Sequence, residues 1–350
     1  MRLNINKIPV EMVEHILYLI DDDWHQILMS VCRKWYNILC NYRNIKYDYS
    51  VRYTPLKIVT KSISLLKWAG NNGCPKTKWI CAAAASNGNL LVLQWARLNK
   101  YPWDHWTCND AAIGGHLHVL KWARRNGCVW NSNACTYAVL NGHLKVLKWL
   151  RRHRCPWNKM VCKYAAEKGD ISTLKWARRH GCDWDEDTCI FAAKYNNLHI
   201  IKWARKHGCE WNEYFFWTAA RFGHLNIIKY AYENGCSWDK ETCGFAAENG
   251  HFEILKWLRE HDCPWDEWTC SMAAKNGHFE ILKWLRKHDC PWDKWTCAYA
   301  AQSGHFDILK WARENGCPWD LLTLRFSKKE NNLKIFNWAL NNDCPINIIY

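Results

Sequence analysis

Tryptophan recurs every 27 residues through most of this 350-residue chain, at Trp103, Trp130, Trp157, Trp184, Trp211, Trp238, Trp265, Trp292 and Trp319. A second series runs from Trp68 through Trp95, Trp122, Trp149, Trp176 and Trp203, passes over Tyr230, and resumes at Trp257, Trp284, Trp311 and Trp338. Cysteine keeps the same period in two columns, Cys74 to Cys344 with Tyr101 as its gap and Cys81 to Cys297 with Phe216 as its gap. Counted from Thr54, eleven units of 27 residues end at Tyr350. A strict period of this length means one supersecondary unit copied many times, each copy burying its apolar face against the next.

The unit reads Thr-Cys-x-x-Ala-Ala-x-Asn-Gly-His-Leu-x-x-Leu-Lys-Trp-Ala-Arg-x-Asn-Gly-Cys-Pro-Trp-Asp. In the copy at 269–295, Cys270, Ala273 and Ala274 form the apolar face of a short helix. Gly277 supplies the positive φ that ends it. Phe279, Ile281, Leu282 and Leu285 have the spacing of a second helix with one buried side. After the loop tryptophan comes Asp or Asn in nine successive copies, Asp104 through Asp320. A side-chain oxygen that accepts from free helical N–H groups explains this choice, so the position is an N-cap.

This pattern resembles the ankyrin repeat, most closely at Ala273-Ala274-Lys275-Asn276-Gly277-His278-Phe279 and in the opening Thr54-Pro55-Leu56. An ankyrin unit has about 33 residues, and the shortfall lies in the segment between hairpins. The resemblance therefore implies an all-α, ankyrin-like solenoid whose β-hairpin fingers are short or absent. Short tryptophan- and cysteine-rich arrays of this type resemble those encoded by giant DNA viruses, which would place the protein in host cytoplasm or nucleus.

Residues 1–50 stand outside the period. Ile8-Pro9-Val10-Glu11, then Ile16-Leu17, and later Val31-Cys32-Arg33-Lys34-Trp35 are similar to the two helices of an F-box. The division expected is thus an F-box-like helical module at 1–50 and an ankyrin-like array at 54–350. An F-box implies a Skp-type adaptor of a cullin ubiquitin ligase as partner, contacted by Ile8, Pro9, Glu11, Ile16 and Leu17. The plain alternative is that these helices cover the end of the array.

Composition excludes several classes. The first residues carry acids where a signal peptide needs an apolar run, and no apolar stretch is long enough for a transmembrane helix. A soluble, intracellular protein with no membrane association is expected. Its twenty cysteines are read as reduced thiols packed between helices. Zinc is not expected, because the columns lie seven residues apart across each loop rather than two to four. Columns in adjacent units are expected about 8–10 Å apart, too far for a disulfide. No phosphate loop, nucleophile elbow or isolated carboxylate pair appears. Neither enzyme activity nor a cofactor nor a metal is expected, and the chain should be monomeric outside its complexes.

Net charge is +15. Lysines before the helix tryptophan and arginines two residues beyond it form two rows, holding 17 charges between them. The rows read either as a solvated outer face or as a stripe for phosphates or an acidic partner. Nucleic acid is therefore the alternative partner.

Specificity should lie where copies differ. One varying column follows the Ala-Ala pair (Ile113, Glu167, Lys194, Arg221). The other precedes the second cysteine column by two (Trp106, Met160, Asp187, Tyr214). With Tyr195 and Phe222 from the irregular middle copies, these are the candidate contacts to a target protein on the concave face. Tyr195-Asn196-Asn197 departs from the Gly-His turn, Tyr214-Phe215-Phe216-Trp217 departs from the cysteine segment, and Lys328, Lys329, Asn331 and Asn332 look like a decayed capping copy. The leading expectation is a substrate receptor that holds a target near a ubiquitin ligase; a sequestering scaffold without that link is a further alternative.

Overall fold

A computed structural model describes residues 54–71 and 74–345. The F-box-like segment, with Ile8, Pro9, Glu11, Ile16 and Leu17, lies outside the described residues. Within them are eleven helix pairs and no strand, from Thr54–Val59 with Ile63–Asn71 to Leu321–Lys329 with Leu333–Asn341. Two compact units are present. One holds the chain up to Val161 together with Trp176–Cys182, and the other holds Cys162–Lys175 and the chain from Asp183 onward.

One hairpin of the second unit, Glu267–Lys275 with Phe279–Lys287, shows why the sequence folds as it does. Asp266 Oδ1 accepts from the Trp268 amide at 3.1 Å and caps the first helix. Cys270, Ala273 and Ala274 are fully buried where first helices of successive hairpins pack. The helix closes through His278 N–H to the Ala273 carbonyl, with Gly277 at φ +78°. A Cβ at Gly277 would come within 2.7 Å of the His305 ring of the next hairpin. The glycine is thus required twice, by its dihedral and by its neighbour. Leu282 and Leu285 on the second helix are fully buried, each worth about 1.5–3 kcal/mol of transfer free energy. The cap expected after the loop tryptophan also forms at Asp104, Asn131, Asn158, Asp239, Asp293 and Asp320, while Asp185 and Asn212 make no cap bond.

Histidines of the Gly-His turn tie hairpins together. His278 Nε2 donates to the Glu248 carbonyl at 3.1 Å, and His116, His143, His224 and His251 do the same thirty residues back. Asn197, expected to mark a break in the template, keeps it: its Nδ2 donates to the carbonyls of Ala166 and Glu167, and Asn196 takes φ +59°. Asn331 and Asn332 repeat the arrangement, with φ +58° and bonds to Ala301 and Gln302. The supposed decayed copy therefore retains the template geometry. An amide can replace the imidazole because the tie needs only one N–H directed at a backbone carbonyl.

Two features of the packing differ from what the sequence alone suggests. The two cysteine columns come together within hairpins, a contact separate from the 8–10 Å spacing expected between adjacent units. Each pairs with the other inside one hairpin, twenty residues on, and the Cys189 and Cys209 sulfurs lie 3.5 Å apart. All described cysteines are free thiols and all but Cys74 are buried. A hydrogen bond that the Cys108 thiol donates to Cys128, and then burial, push Cys108 far above its usual range, and burial pushes Cys81 up to about 12. These thiols are packing groups, not nucleophiles.

The arginine row is also not a solvated stripe. Arg124 Nη1 donates to the Cys128 carbonyl, tying the end of its helix to the loop that follows, and its guanidinium lies 3.9 Å from the centre of the Trp130 ring. Arg97, Arg151, Arg205, Arg259, Arg286 and Arg313 repeat both contacts. Each loop tryptophan meets the helix tryptophan of the following hairpin edge-on, as Trp265 meets Trp284 at 5.9 Å, except Trp211, which meets Tyr230. At the position where other copies have this arginine, Tyr232 stacks flat on Trp238 at 4.7 Å.

Candidate protein-binding face

First helices carry the candidate contacts, and the second unit gathers several of them. Tyr214 meets Trp217 edge-on at 4.6 Å, Trp217 lies 5.6 Å from Phe245, and Phe245 lies 5.2 Å from Trp268. Trp217 is anchored by a 2.6 Å bond from its Nε1 to Asp239 Oδ1. Trp268 is seated over Gly244, where a Cβ would fall 1.9 Å from the indole. That glycine has an ordinary backbone and is present for space alone. Arg221 lies over the Phe245 ring at 5.3 Å and pairs with Glu248 at 3.6 Å.

A second group forms around Lys194. Its ammonium stands 5.2 Å from the Tyr195 ring, 5.4 Å from Phe222 and 5.9 Å from Phe191. Lys163 covers Phe191 at 4.0 Å and pairs with Asp187 at 3.1 Å. Tyr195, Tyr214 and Phe222 are 46%, 51% and 42% exposed, which is high for large rings and leaves them open to contact. Phe215 and Phe216, by contrast, are fully buried. Half of the irregular aromatic segment is core that fills the space vacated by cysteine, and only Tyr214 and Trp217 serve the surface.

The remaining candidates are dispersed. Glu167 offers its carbonyl to Asn197. In the first unit Trp106 lies 5.9 Å from Trp79 and 6.4 Å from Tyr137, Ile113 presents its carbonyl to His143, and half-buried Met160 has its amide capped by Asn158. Trp106 and Ile113 sit near opposite ends of His105–Ile113 and form no joint site. On the same helix burial pushes the Asp110 carboxyl up to about 6, with Lys57 opposing and Asp104 adding to the shift.

The column missed in the sequence is the one two residues beyond the second cysteine column, where Tyr137, Phe191, Phe245, Tyr299 and Phe326 stand. Its members link the two varying columns, as when Tyr299 stands 5.3 Å from Trp295 and under Lys275 at 5.4 Å. Their common aromatic character was visible, but it reads as helix core until the face is known. No group of three or more His, Cys, Asp or Glu among the described residues is arranged to hold a metal, and no described helix is long and apolar enough to cross a membrane.

Residues 243–323 match the family model for ankyrin repeats, in three copies. That segment holds Phe245, Glu248, Trp268, Lys275, Trp295 and Tyr299 of the face just described, and ankyrin repeats indicate a protein-binding scaffold. The chain is also similar to the crystal structure of the human ASB11 ankyrin repeat domain, at 16% identity and a TM-score of 0.38, over 45% of this chain and 84% of that one. No curated protein matches the chain.

Proposed function

We propose that the protein is a non-catalytic adaptor whose first-helix face holds a target protein while the F-box-like start, with Ile8, Pro9, Glu11, Ile16 and Leu17, recruits a Skp-type adaptor of a cullin ubiquitin ligase. The observation that carries the target-binding half is the run Tyr214, Trp217, Phe245 and Trp268, anchored through Asp239 and Gly244 and flanked by Arg221. Anchored aromatics beside charges, half-buried at Trp217, Phe245 and Trp268 and exposed at Tyr214, are the composition of binding hot spots, because they bury much area at small entropic cost. The ligase half rests on the sequence pattern of residues 1–50. A protein encoded by a giant DNA virus and acting inside the host cell fits this reading.

Affinity purification with the full chain tests both halves. Tyr214→Ala with Trp268→Ala should lose the target and keep the Skp-type adaptor; Pro9→Ala with Leu17→Asp should do the reverse. Failure of the wild-type chain to capture any Skp-type adaptor would remove the ligase link. Target capture indifferent to Tyr214 and Trp268 would remove the assigned face.

A further inference from the structure

Because the template arginines are committed to helix ends and indole rings, the cations outside that row carry the information. Between Ala111 and Val161 the first unit has nine lysines and arginines and no aspartate or glutamate. Lys121, Arg125, Arg152 and Arg154 are exposed and make no ion pair among the described residues. With Trp130 and Trp149 they line a cleft of about 570 Å³ on the second-helix side of two hairpins. Arg152 also lines the next cleft, of about 270 Å³, with Lys148 and His180. Arg125, Arg152 and Arg179 occupy one template position in three successive hairpins, all exposed. Packed helices stand about 8–10 Å apart, so the guanidinium groups recur as a regular row.

We propose that this ridge binds the phosphate backbone of a nucleic acid without reading its bases. A regular row of cations suits a polymer of evenly spaced anions, and guanidinium groups grip phosphate oxygens in pairs. Acidic protein is the weaker match. Such a partner needs apolar anchors, and between Ala111 and Val161 the one strongly exposed large aliphatic side chain is Val129. Base stacking is not part of the site. One face of Trp149 is covered by His153 at 4.2 Å, Trp130 is covered by Arg124 at 3.9 Å, and the two indoles meet edge-on at 5.9 Å. Affinity therefore comes from counterion release, which is steeply salt-dependent. The proposal uses second-helix residues and stands independently of the adaptor reading.

Fluorescence anisotropy on the full-length protein tests it, with labelled oligouridylate and labelled duplex DNA over a salt series. Log affinity should fall linearly with log salt. The triple variant Arg125→Gln, Arg152→Gln, Arg154→Gln should lower that slope by about 2–3, at roughly 0.7–0.9 per phosphate contact, and weaken binding about tenfold or more at low salt. An unchanged thermal melt would establish that the variant is folded. Lys256→Gln, Lys283→Gln and Lys287→Gln together, in the second unit, should leave binding unchanged. Absence of nucleic-acid binding, or a triple variant that binds like wild type, would overturn the proposal. So would a polyglutamate peptide that binds as tightly as the nucleic acids and is lost in the same variant, which would assign the ridge to acidic protein.

Discussion

The second helices Leu117–Arg125 and Leu144–Arg152 of the first unit and Phe252–Glu260 and Phe279–Lys287 of the second are built on one template and dressed with different charge. In the second unit Lys256 and Lys283 pair with Glu253 and Glu280, one turn back, both at 2.9 Å. The corresponding residues of the first unit are His118 behind Lys121 and Lys145 behind Lys148. At the helix end, Arg154 at φ +61° stands where the second unit has Asp262 and Asp289 at φ +61° and +60°. The backbone conformation is the same and the charge is inverted. Positions that hold the hairpin together keep their character in the two regions, apolar where buried and arginine before the loop, whereas positions facing water differ freely. Scaffold and specificity are therefore carried by separate residues, and mutations should separate them too.

The largest effect is expected where two constraints coincide. Gly277→Ala should cost about 2–4 kcal/mol, from the positive φ and from the His305 contact together. Gly316→Asn has φ +83° with nothing within 4 Å of an added Cβ, and should cost about 1 kcal/mol or less, since asparagine tolerates this region. Equal melting temperatures for the two variants would show that the hairpin tie does not constrain the turn.

Template arginines come next. Arg124→Ala in one unit and Arg286→Ala in the other should each lose about 2–3 kcal/mol, the charge-assisted bond to a carbonyl plus the ring contact. Arg125→Ala, one residue away and exposed, should stay within about 0.5 kcal/mol. Chemical denaturation of the three would sharpen the division between scaffold and dressing, and a large loss at Arg125 would break it.

Asp110 is the last carboxylate before the acid-free stretch. Its folded pKa, up to about 6, exceeds the unfolded value of 3.8, so the folded state holds the proton more tightly. Stability is lost as pH rises through this window and stays lost above it. Asp110→Asn should therefore stabilise the protein at pH 7 by about 1–3 kcal/mol, with the advantage disappearing below about pH 4. Thermal melts of both proteins across pH 3–8 check the sign.

The smallest effect concerns dressing alone. Glu253→His with Glu280→Lys copies the first-unit charge pattern into the second. It should change stability by less than about 0.5 kcal/mol while increasing nucleic-acid binding by that unit. A large destabilisation would mean that these ion pairs belong to the scaffold.

The exchange of Cys for Phe216, of His for Asn197 and of Arg for Tyr232 shows how far a periodic sequence can be read. Each was visible as a departure, but its consequence depended on what the position touches. Phe216 fills core and Asn197 preserves a tie, whereas Tyr232 exchanges a cation for an aromatic stack, although in sequence all three look equally irregular. The target-binding candidates were legible at Tyr195, Tyr214, Arg221 and Phe222, because exposed variable positions show up against a repeat. Trp217 showed only as part of the irregular segment, and Gly244 and Phe245 did not show at all, since an aromatic or a glycine on a helix reads as core or defect until its neighbour is known.

What the sequence determined alone is local: eleven hairpins, their helix-ending glycines and most of their capping carboxylates, all fixed by spacing within a turn or two of chain. What the tertiary structure decided is which chemically identical groups remain available. Arg124 and Arg125 are adjacent in sequence, yet one is fastened to the Cys128 carbonyl and the Trp130 ring while the other faces water. A side chain's partner lies a helix end or a whole hairpin away, and only the packed repeat brings the two within bonding distance.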